Sequence, residues 1–247
     1  MRFKAQTKVK TLHDWLRAIN AVADECIIDT SETDAVVVRV VDPANALMLD
    51  IRMPDHAWDL LDTEPGRIGV DLALLIERVK MFDPDADITI TTKESKLVLT
   101  DGSARYRVRT IDPDSLRKAT ILPALELPAK ITVDAKRLQR LVRNAASLSD
   151  HLRIGVDTAN QCMFVRAEGD TGDYEEPLLF DGEVVVLAEH RVDVSSLYSL
   201  DYTTETAKNL SGDVVIELGT DLPMLISFVL HDAIISYVQA PRIEKEG

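Results

Sequence analysis

The chain has little cysteine, no long apolar run and a deficit of positive charge. Cys26 and Cys162 are its only cysteines in 247 residues. Both lie in apolar sequence, DECIID and NQCMFV, and read as small buried hydrophobes of a reducing compartment rather than a disulfide. Neither stands at ligand spacing from another Cys or a His, and His13, His56, His151, His190 and His231 are scattered, so no metal is expected. The longest apolar runs, such as residues 36–38 and 184–188, are far short of a membrane span. The opening MRFKAQTKVK has no apolar h-region, so no signal peptide and no membrane are expected. The glycine patterns that cradle phosphates, GxGxxG and GxxxxGK[ST], do not occur, nor do GxSxG or HExxH. Gly169 and Gly172 in AEGDTGD read as a turn. The acidic stretch at 83–87 lacks the central Gly and distal Glu of a calcium loop and reads as a solvated, helix-stopping turn. No cofactor is expected. An enzyme would have to rely on carboxylates such as Asp42 and Asp71 brought together by a two-domain α+β fold.

Lys and Arg number 28 against 42 Asp and Glu, a net charge of −14. That balance excludes a uniformly basic nucleic-acid binder but leaves local basic patches open. A hydrophobic fraction of 46% and a mean hydropathy of −0.02 indicate a globular protein with a sizeable core. The length suits one large domain or two of about 120 residues.

Hydrophobic periodicity predicts an α+β chain. A helix is expected over 11–24, with Thr11 as its cap. Strands follow at 27–29, 35–41 and 46–53, with the turn Asp42-Pro43-Ala44-Asn45 before the last. A second helix at 71–82 is capped by Asp71 and stopped by Asp83-Pro84. A hairpin over 87–92 and 96–100 and a strand over 104–110 complete the first half. Residues 111–129, with Pro113, Pro123 and Pro128, read as an extended connector lying on a surface. The pattern then restarts with a helix over 134–150 capped by Asp134. Strands are expected at 152–156, 162–167, 172–178 and 184–188, a weakly apolar helix within 194–210, a hairpin over 213–218 and 224–230, and a last strand at 234–240. Asp87 and Asp213, which open the two hairpins, are 126 positions apart, and the same offset carries Leu12, Trp15, Leu16 and Asp24 onto Leu138, Leu141, Val142 and Asp150. This indicates an internal duplication. The expected domains are 1–111 and 129–247, joined by the connector at 112–128.

Basic residues concentrate on helices. Lys136, Arg140 and Arg143 stand at i, i+4 and i+7 of the third helix, opposite Leu138, Leu141, Val142 and Ala145, with Arg137 on the flank. The matching face of the first helix carries His13, Arg17 and Asn20. The second helix adds Lys80 with Arg78 to the side, and the fourth adds Lys208. Such faces suit either a polyanion on one side or ordinary solvated helices with local ion pairs. Arg105, Arg107 and Arg109 alternate along one strand, and Asp173, Glu175 and Glu176 lie in another. Together they suit either an oriented subunit contact or two edges whose charge deters aggregation.

The chain resembles the PCNA sliding-clamp family, most closely its archaeal branch. The resemblance rests on Val41-Asp42-Pro43-Ala44-Asn45, Ile68-Gly69-Val70-Asp71-Leu72, Ile111-Asp112-Pro113-Asp114-Ser115, Ser149-Asp150-His151, Ala167-Glu168-Gly169-Asp170, Asp221-Leu222-Pro223 and Ala240-Pro241-Arg242-Ile243-Glu244, collinear over nearly the whole chain. It implies two duplicated clamp domains, helices inside and antiparallel sheets outside, and three chains closed head to tail around duplex DNA. The implied DNA contacts are Arg17, Arg78, Lys80, Lys136, Arg140, Arg143 and Lys208. The implied subunit contact pairs Arg105, Arg107 and Arg109 with Asp173, Glu175 and Glu176 of a neighbour. A pocket for short peptides bearing a Gln and aromatic anchors would use Val41, Pro43, Asn45, Met48, Leu122, Pro223, Val238, Ala240 and Pro241. The implied partners are duplex DNA, two further copies, clamp loader, DNA polymerase, flap endonuclease and ligase, in the cytoplasm at the nucleoid. A subunit that works only in a heterotrimer is the variant of this expectation. Asp14, Asn20 and Glu77 stand where family members often place lysines, so DNA contact in the first domain would rest on Arg17 and Lys80; Asn45 stands where some relatives have His, and Gln239 is an unusual polar residue in the pocket segment.

Overall fold

The computed structural model describes residues 2–118, 121, 125–180, 184–186 and 192–243. It divides into two compact units. The first comprises Met1–Pro43, Leu49–Ile121 and Leu230–Ile235, and the second Ala44–Met48, Leu122–Val229 and Ser236–Gly247.

The first half of the chain runs β1 (Phe3–Lys8), α1 (Val9–Asn20), β2 (Glu25–Asp29), β3 (Ala35–Val41), β4 (Leu47–Pro54), β5 (Leu60–Thr63), β6 (Arg67–Asp71), α2 (Leu72–Val79), β7 (Asp87–Lys93), β8 (Lys96–Thr100) and β9 (Arg105–Arg109). Two runs of antiparallel strands result, in the orders β5-β1-β7-β8-β9 and β6-β2-β3-β4. Leu12, Trp15, Leu16 and Ile19 of α1 and Leu72, Leu75, Ile76 and Val79 of α2 are buried, and Trp15 meets Trp58 edge to face at 4.9 Å. The Trp15 indole N–H donates to Leu230 O at 2.9 Å, so this core ring leaves no donor unpaired.

Helix α1 begins two residues before the expected cap at Thr11. Its N-cap is Lys8, which makes no side-chain cap bond. The first amides are satisfied from outside instead: Val9 N donates to Ala86 O and Lys10 N to Pro84 O, each at 3.0 Å. The acidic turn at 83–86 is therefore a backbone cap for α1 as well as the stop after α2. The helix ends at Asn20, short of Asp24, where the Asn20 amide donates to Ala23 O at 3.1 Å. Asp71 caps α2 as expected, accepting from Leu74 N at 2.8 Å, but regular helix ends at Val79 rather than Phe82.

The second half repeats the order: β10 (Ala129–Asp134), α3 (Ala135–Ala146), β11 (His151–Asp157), β12 (Cys162–Gly169), β13 (Gly172–Leu179), β14 (Val184–Val186), β15 (Val194–Ser199), α4 (Leu200–Ala207), β16 (Asp213–Leu218), β17 (Met224–Leu230) and β18 (Ala233–Gln239). Its strand runs, β14-β10-β16-β17-β18 and β15-β11-β12-β13, are those of the first half element for element. Helices α1 and α3 have equal length and begin 126 positions apart, at Val9 and Ala135. Even the capping repeats: Leu72 N donates to Asp24 O and Leu200 N to Asp150 O, both at 2.9 Å. The chain is therefore duplicated at the level of its folded elements. Helix α3 starts from its Asp134 cap but ends at Ala146, not at 150. The segment expected only to contain a helix, 194–210, is strand β15 followed by α4. Among the described residues, no helix is long and apolar enough to cross a membrane.

Candidate nucleic-acid interface and partner surfaces

Helix α3 sets the character of the first candidate surface. Leu138, Leu141, Val142 and Ala145 are buried, which leaves Lys136, Arg140, Arg143 and Asn144 exposed on the opposite side. Asp134 fixes the helix start by accepting from Arg137 N at 3.1 Å. Two of the arginines are tied down. Glu176 of β13 accepts from Arg137 Nη2 at 2.7 Å and from Arg140 Nη2 at 2.8 Å. Tyr174 donates its hydroxyl to the other Glu176 oxygen at 2.6 Å, and burial followed by that bond raises the Tyr174 pKa. Lys136 and Arg143 form no ion pair with any described residue.

The other helices carry less available charge. On α1, Arg17 is exposed without an ion pair among the described residues, but Asp14 lies on the same helix and meets His231 Nε2 at 2.9 Å. Asn20 spends its amide on the helix end and does not extend a cationic face. On α2, Arg78 is held by Glu77 at 2.6 Å and Lys80 is exposed. On α4, Lys208 is held by Glu205 at 2.5 Å, with Asp201 exposed beside them. Burial lowers the His13 pKa; Asp14 opposes the shift, while Lys80 and Arg17 reinforce it. Among the helices, α3 therefore carries the most exposed basic residues, Lys136, Arg140 and Arg143.

The second pair of surfaces is strand edges. β9 ends one strand run of the first unit, and β13 ends one run of the second. On β9, Val108 is buried and Tyr106 packs edge to face on Phe82 at 5.2 Å, so Arg105, Arg107 and Arg109 all stand exposed on the other face. On β13, Asp173 and Glu175 are exposed on the face away from α3, with Glu175 accepting from Arg166 at 2.9 Å. Glu176 departs from the expectation that grouped it with them, because alternation turns it toward α3 and its arginines.

Residues 121–243 match the family described as proliferating cell nuclear antigen, C-terminal domain. The DNA polymerase sliding clamp of Haloarcula marismortui is 36% identical over 99% of this chain and 100% of its own, and that of Halobacterium salinarum 34% over 98% and 99%. The chain belongs to the PCNA family of DNA polymerase sliding clamps. A solved structure of A. fulgidus PCNA with the C-terminal region of FEN-1 bound is 27% identical with a TM-score of 0.90, covering 99% of this chain and 100% of that one. PCNA from Thermococcus kodakaraensis, at 20% identity and a TM-score of 0.87, shares the fold. The protein is a sliding clamp and not an enzyme. Asp71, one of the carboxylates an enzyme reading would need, is occupied as a helix cap.

The residues that the resemblance implies for a peptide pocket fall in both units, and each set is described by itself. In the first, Val41 is half-buried and Pro43 exposed, and these two also line a groove of about 530 Å³ with Val22, Asp24, Leu116 and Arg117. In the second, Asn45 is exposed at a positive φ of 57°, Met48, Pro223, Ala240 and Pro241 are half-buried, and Val238 is buried. Ala240 N donates to Ala46 O at 2.8 Å, and Tyr198 Oη to Leu222 O at 2.8 Å, which fixes the backbone around these residues. Leu122 lies outside the described residues. Gln239 is not a pocket-lining polar group: it is 2% exposed, with its amide donating to Ser199 O at 2.8 Å and its Oε1 accepting from Thr203 Oγ1 at 3.0 Å. Sequence reasoning missed the tie between Glu176 and α3. Its signal was present in the alternation of β13, which separates Glu176 from Asp173 and Glu175.

Proposed function

We propose that three copies of this clamp close into a ring around duplex DNA, joined through the β9 and β13 edges, with α3 and its counterparts turned toward the duplex. The observation that carries the reading is the exposed Lys136–Arg140–Arg143 face in a chain of net charge −14. Arg17, Arg78, Lys80 and Lys208 supplement it more weakly, since Arg78 and Lys208 are held by neighbouring glutamates. Contacts of Lys and Arg to phosphates are independent of sequence and weakened by salt. A small number of them lets the ring slide while its closure prevents escape. Acidic outer surfaces favour the central position of DNA, because at a Debye length of about 8 Å opposite faces of a helix-on-sheet layer act separately. Self-assembly is favoured by the presence of complementary edges, arginine on β9 and carboxylate on β13, in one chain.

The second role is tethering. The pocket residues Val41, Pro43, Asn45, Met48, Leu122, Pro223, Val238, Ala240 and Pro241 would receive short peptide tails with apolar anchors. A flap endonuclease tail is the first candidate, by similarity to the complex of the A. fulgidus relative; polymerase, clamp loader and ligase follow by the family resemblance. The test is a light-scattering mass followed by loading on nicked circular DNA. A trimer mass, retention on the circle and rapid loss after linearisation are expected. A monomer, or equal loss from circle and line, overturns the reading.

A further inference from the structure

We propose that the outward face of the β15-β11-β12-β13 strands holds a binding site for a small oxyanion, a phosphate or a carboxylate, gripped by His151, Arg153 and Arg166 with Arg242 at its margin. The site lies wholly within the second unit and depends neither on ring closure nor on the helix faces.

Strand register assembles the charges. Arg153 of β11 stands directly opposite Arg166 of β12, and on its other side opposite Leu197 of β15. Arg242 pairs with Leu197 in turn, its N–H donating to Leu197 O at 2.7 Å. One row across the sheet thus reads Arg242, Leu197, Arg153, Arg166 and Glu175. Opposed residues of an antiparallel pair share a face. Alternation with buried Leu152, Ile154, Val165 and Ala167 puts this row on the face away from α3. His151 joins it from the neighbouring row, two positions before Arg153 and opposite Ser199. Like charges directly opposite one another destabilise a ladder. Within the row, Glu175 is the one carboxylate against three arginines, and it is held by Arg166 at 2.9 Å. Arg153 also reaches Ser195 Oγ at 3.5 Å.

A recess of about 210 Å³ opens among Ser149, His151, Arg153, Arg166, Glu168 and Leu197. Water takes about 30 Å³ per molecule in the liquid, so there is room for a tetrahedral oxyanion with attendant waters. Two of the lining side chains carry a buried nitrogen with no hydrogen-bond partner among the described residues, His151 Nε2 and Arg166 Nε. Leaving such atoms unbonded is costly, and two on one recess point to a ligand that brings acceptors. Arg166 Nε can only donate, and His151 Nε2 donates in one neutral tautomer or when protonated. An oxyanion supplies acceptors to both and a counter-charge to the arginine pair, whereas a cation is repelled by the same arginines. The Arg166 guanidinium is held in place without a ligand, 4.3 Å over the Phe164 ring and against Glu175. Glu168 stands exposed at the rim and works against an anion, but its charge is screened by solvent and salt.

The test follows the imidazole signals of the full-length chain, labelled with nitrogen-15 histidine, by NMR at neutral pH. Inorganic phosphate or acetate replaces chloride at fixed ionic strength. The His151 signals are identified by their loss in His151→Gln, and the other four histidines report nonspecific effects. A saturable shift confined to His151 is expected with phosphate. Saturation by acetate as well assigns the site to carboxylates too, such as the acidic side chains of a partner; saturation by phosphate alone restricts it to phosphate groups. Arg153→Gln and Arg166→Gln should each weaken binding by about tenfold or more. Arg242→Gln, at an exposed position, should weaken it by less. Lys136→Ala, on the opposite side of the sheet, should leave it unchanged. Unaltered signals of the other histidines show that each variant keeps its fold. The absence of a saturable His151 shift with either anion overturns the proposal. So does full-strength binding in both Arg153→Gln and Arg166→Gln, or a shift shared equally by all five histidines.

Discussion

Arg140 on α3 and Glu176 on β13 meet at 2.8 Å, and through that contact an edge strand holds charge back from the helix face proposed for DNA. The same carboxylate takes Arg137 at 2.7 Å. Replacing Glu176 by Gln releases both guanidinium groups without changing side-chain shape. The expected outcome is tighter binding to duplex DNA, with the slope of log K against log salt growing by up to about 0.9 for each arginine that reaches a phosphate. The pair with exposed Arg140 contributes no more than about 1 kcal/mol to stability, and loss of the half-buried Arg137–Glu176 pair adds to the cost. Fluorescence anisotropy over a salt series, with a urea titration alongside, measures both.

The remaining cations rank by how free they are. Lys136→Ala and Arg143→Ala each remove a charge with no ion pair among the described residues. Each is expected to reduce the salt slope by about 0.9 in the same assay. Lys208→Ala removes a charge already shared with Glu205 at 2.5 Å, so its effect should be clearly smaller. Equal effects for Lys208 and Lys136 would show that local pairing does not set the availability of these cations.

The duplication and the cationic helix were legible because both rest on regular spacing. A shared offset of 126 positions places α1 on α3, and the i, i+4, i+7 spacing of Lys136, Arg140 and Arg143 suffices to put them on one face. What escaped were elements whose buried positions are polar or small. β15 alternates properly, but one of its inward residues is Ser196, 1% exposed and donating its hydroxyl to Gly219 O at 2.7 Å. β1 turns Phe3, Ala5 and Thr7 inward, a set too weakly apolar to register as a strand. The helix ends were misplaced for a different reason. The caps of α1 are carbonyls of Pro84 and Ala86, far along the chain, and no local side chain announces them. Gly169, read as part of a turn, closes β12 against Leu148, whose carbonyl oxygen lies 1.9 Å from where a Cβ would stand.

That contact makes Gly169→Ala a strong test of backbone packing. A methyl group there meets a carbonyl rather than a flexible side chain, so the strand or the end of α3 must move. A loss of about 2–3 kcal/mol is expected, at the upper end for overpacking. Gly102→Ala, at a turn with open space but a φ of +96°, should cost less, about 1 kcal/mol. Urea midpoints at constant m-value compare the two.

Gln239 offers a polar counterpart. Its amide joins Ser199 O and Thr203 Oγ1 beneath the start of α4, and it is almost fully buried. Gln239→Leu keeps most of the volume and removes both bonds. Ser199 O retains the Thr203 hydroxyl at 2.9 Å, so one acceptor stays satisfied. The expected loss is about 1–2 kcal/mol, and Gln239→Ala should lose more because a cavity is added. An unchanged urea midpoint for the Leu variant would mean these bonds contribute nothing net to folding.

His13 sets the pH response on the mildly acidic side. Burial, with Lys80 and Arg17 adding to it, holds its pKa below the ordinary value of 6.5, while Asp14 pulls the other way. The unfolded chain therefore binds a proton at His13 more readily than the folded one, so stability rises with pH through this window. The contribution is complete above about pH 6.5 and declines as pH falls toward the lowered folded pKa. Carboxylates that hydrogen bonding holds below their usual range, such as Asp101 and Asp157, titrate lower still and lose their contribution only in stronger acid. Thermal unfolding between pH 7.5 and 5 should thus show a falling midpoint for the native chain and a flatter profile for His13→Asn. A parallel decline in His13→Asn and the native chain would assign the pH response to groups other than His13.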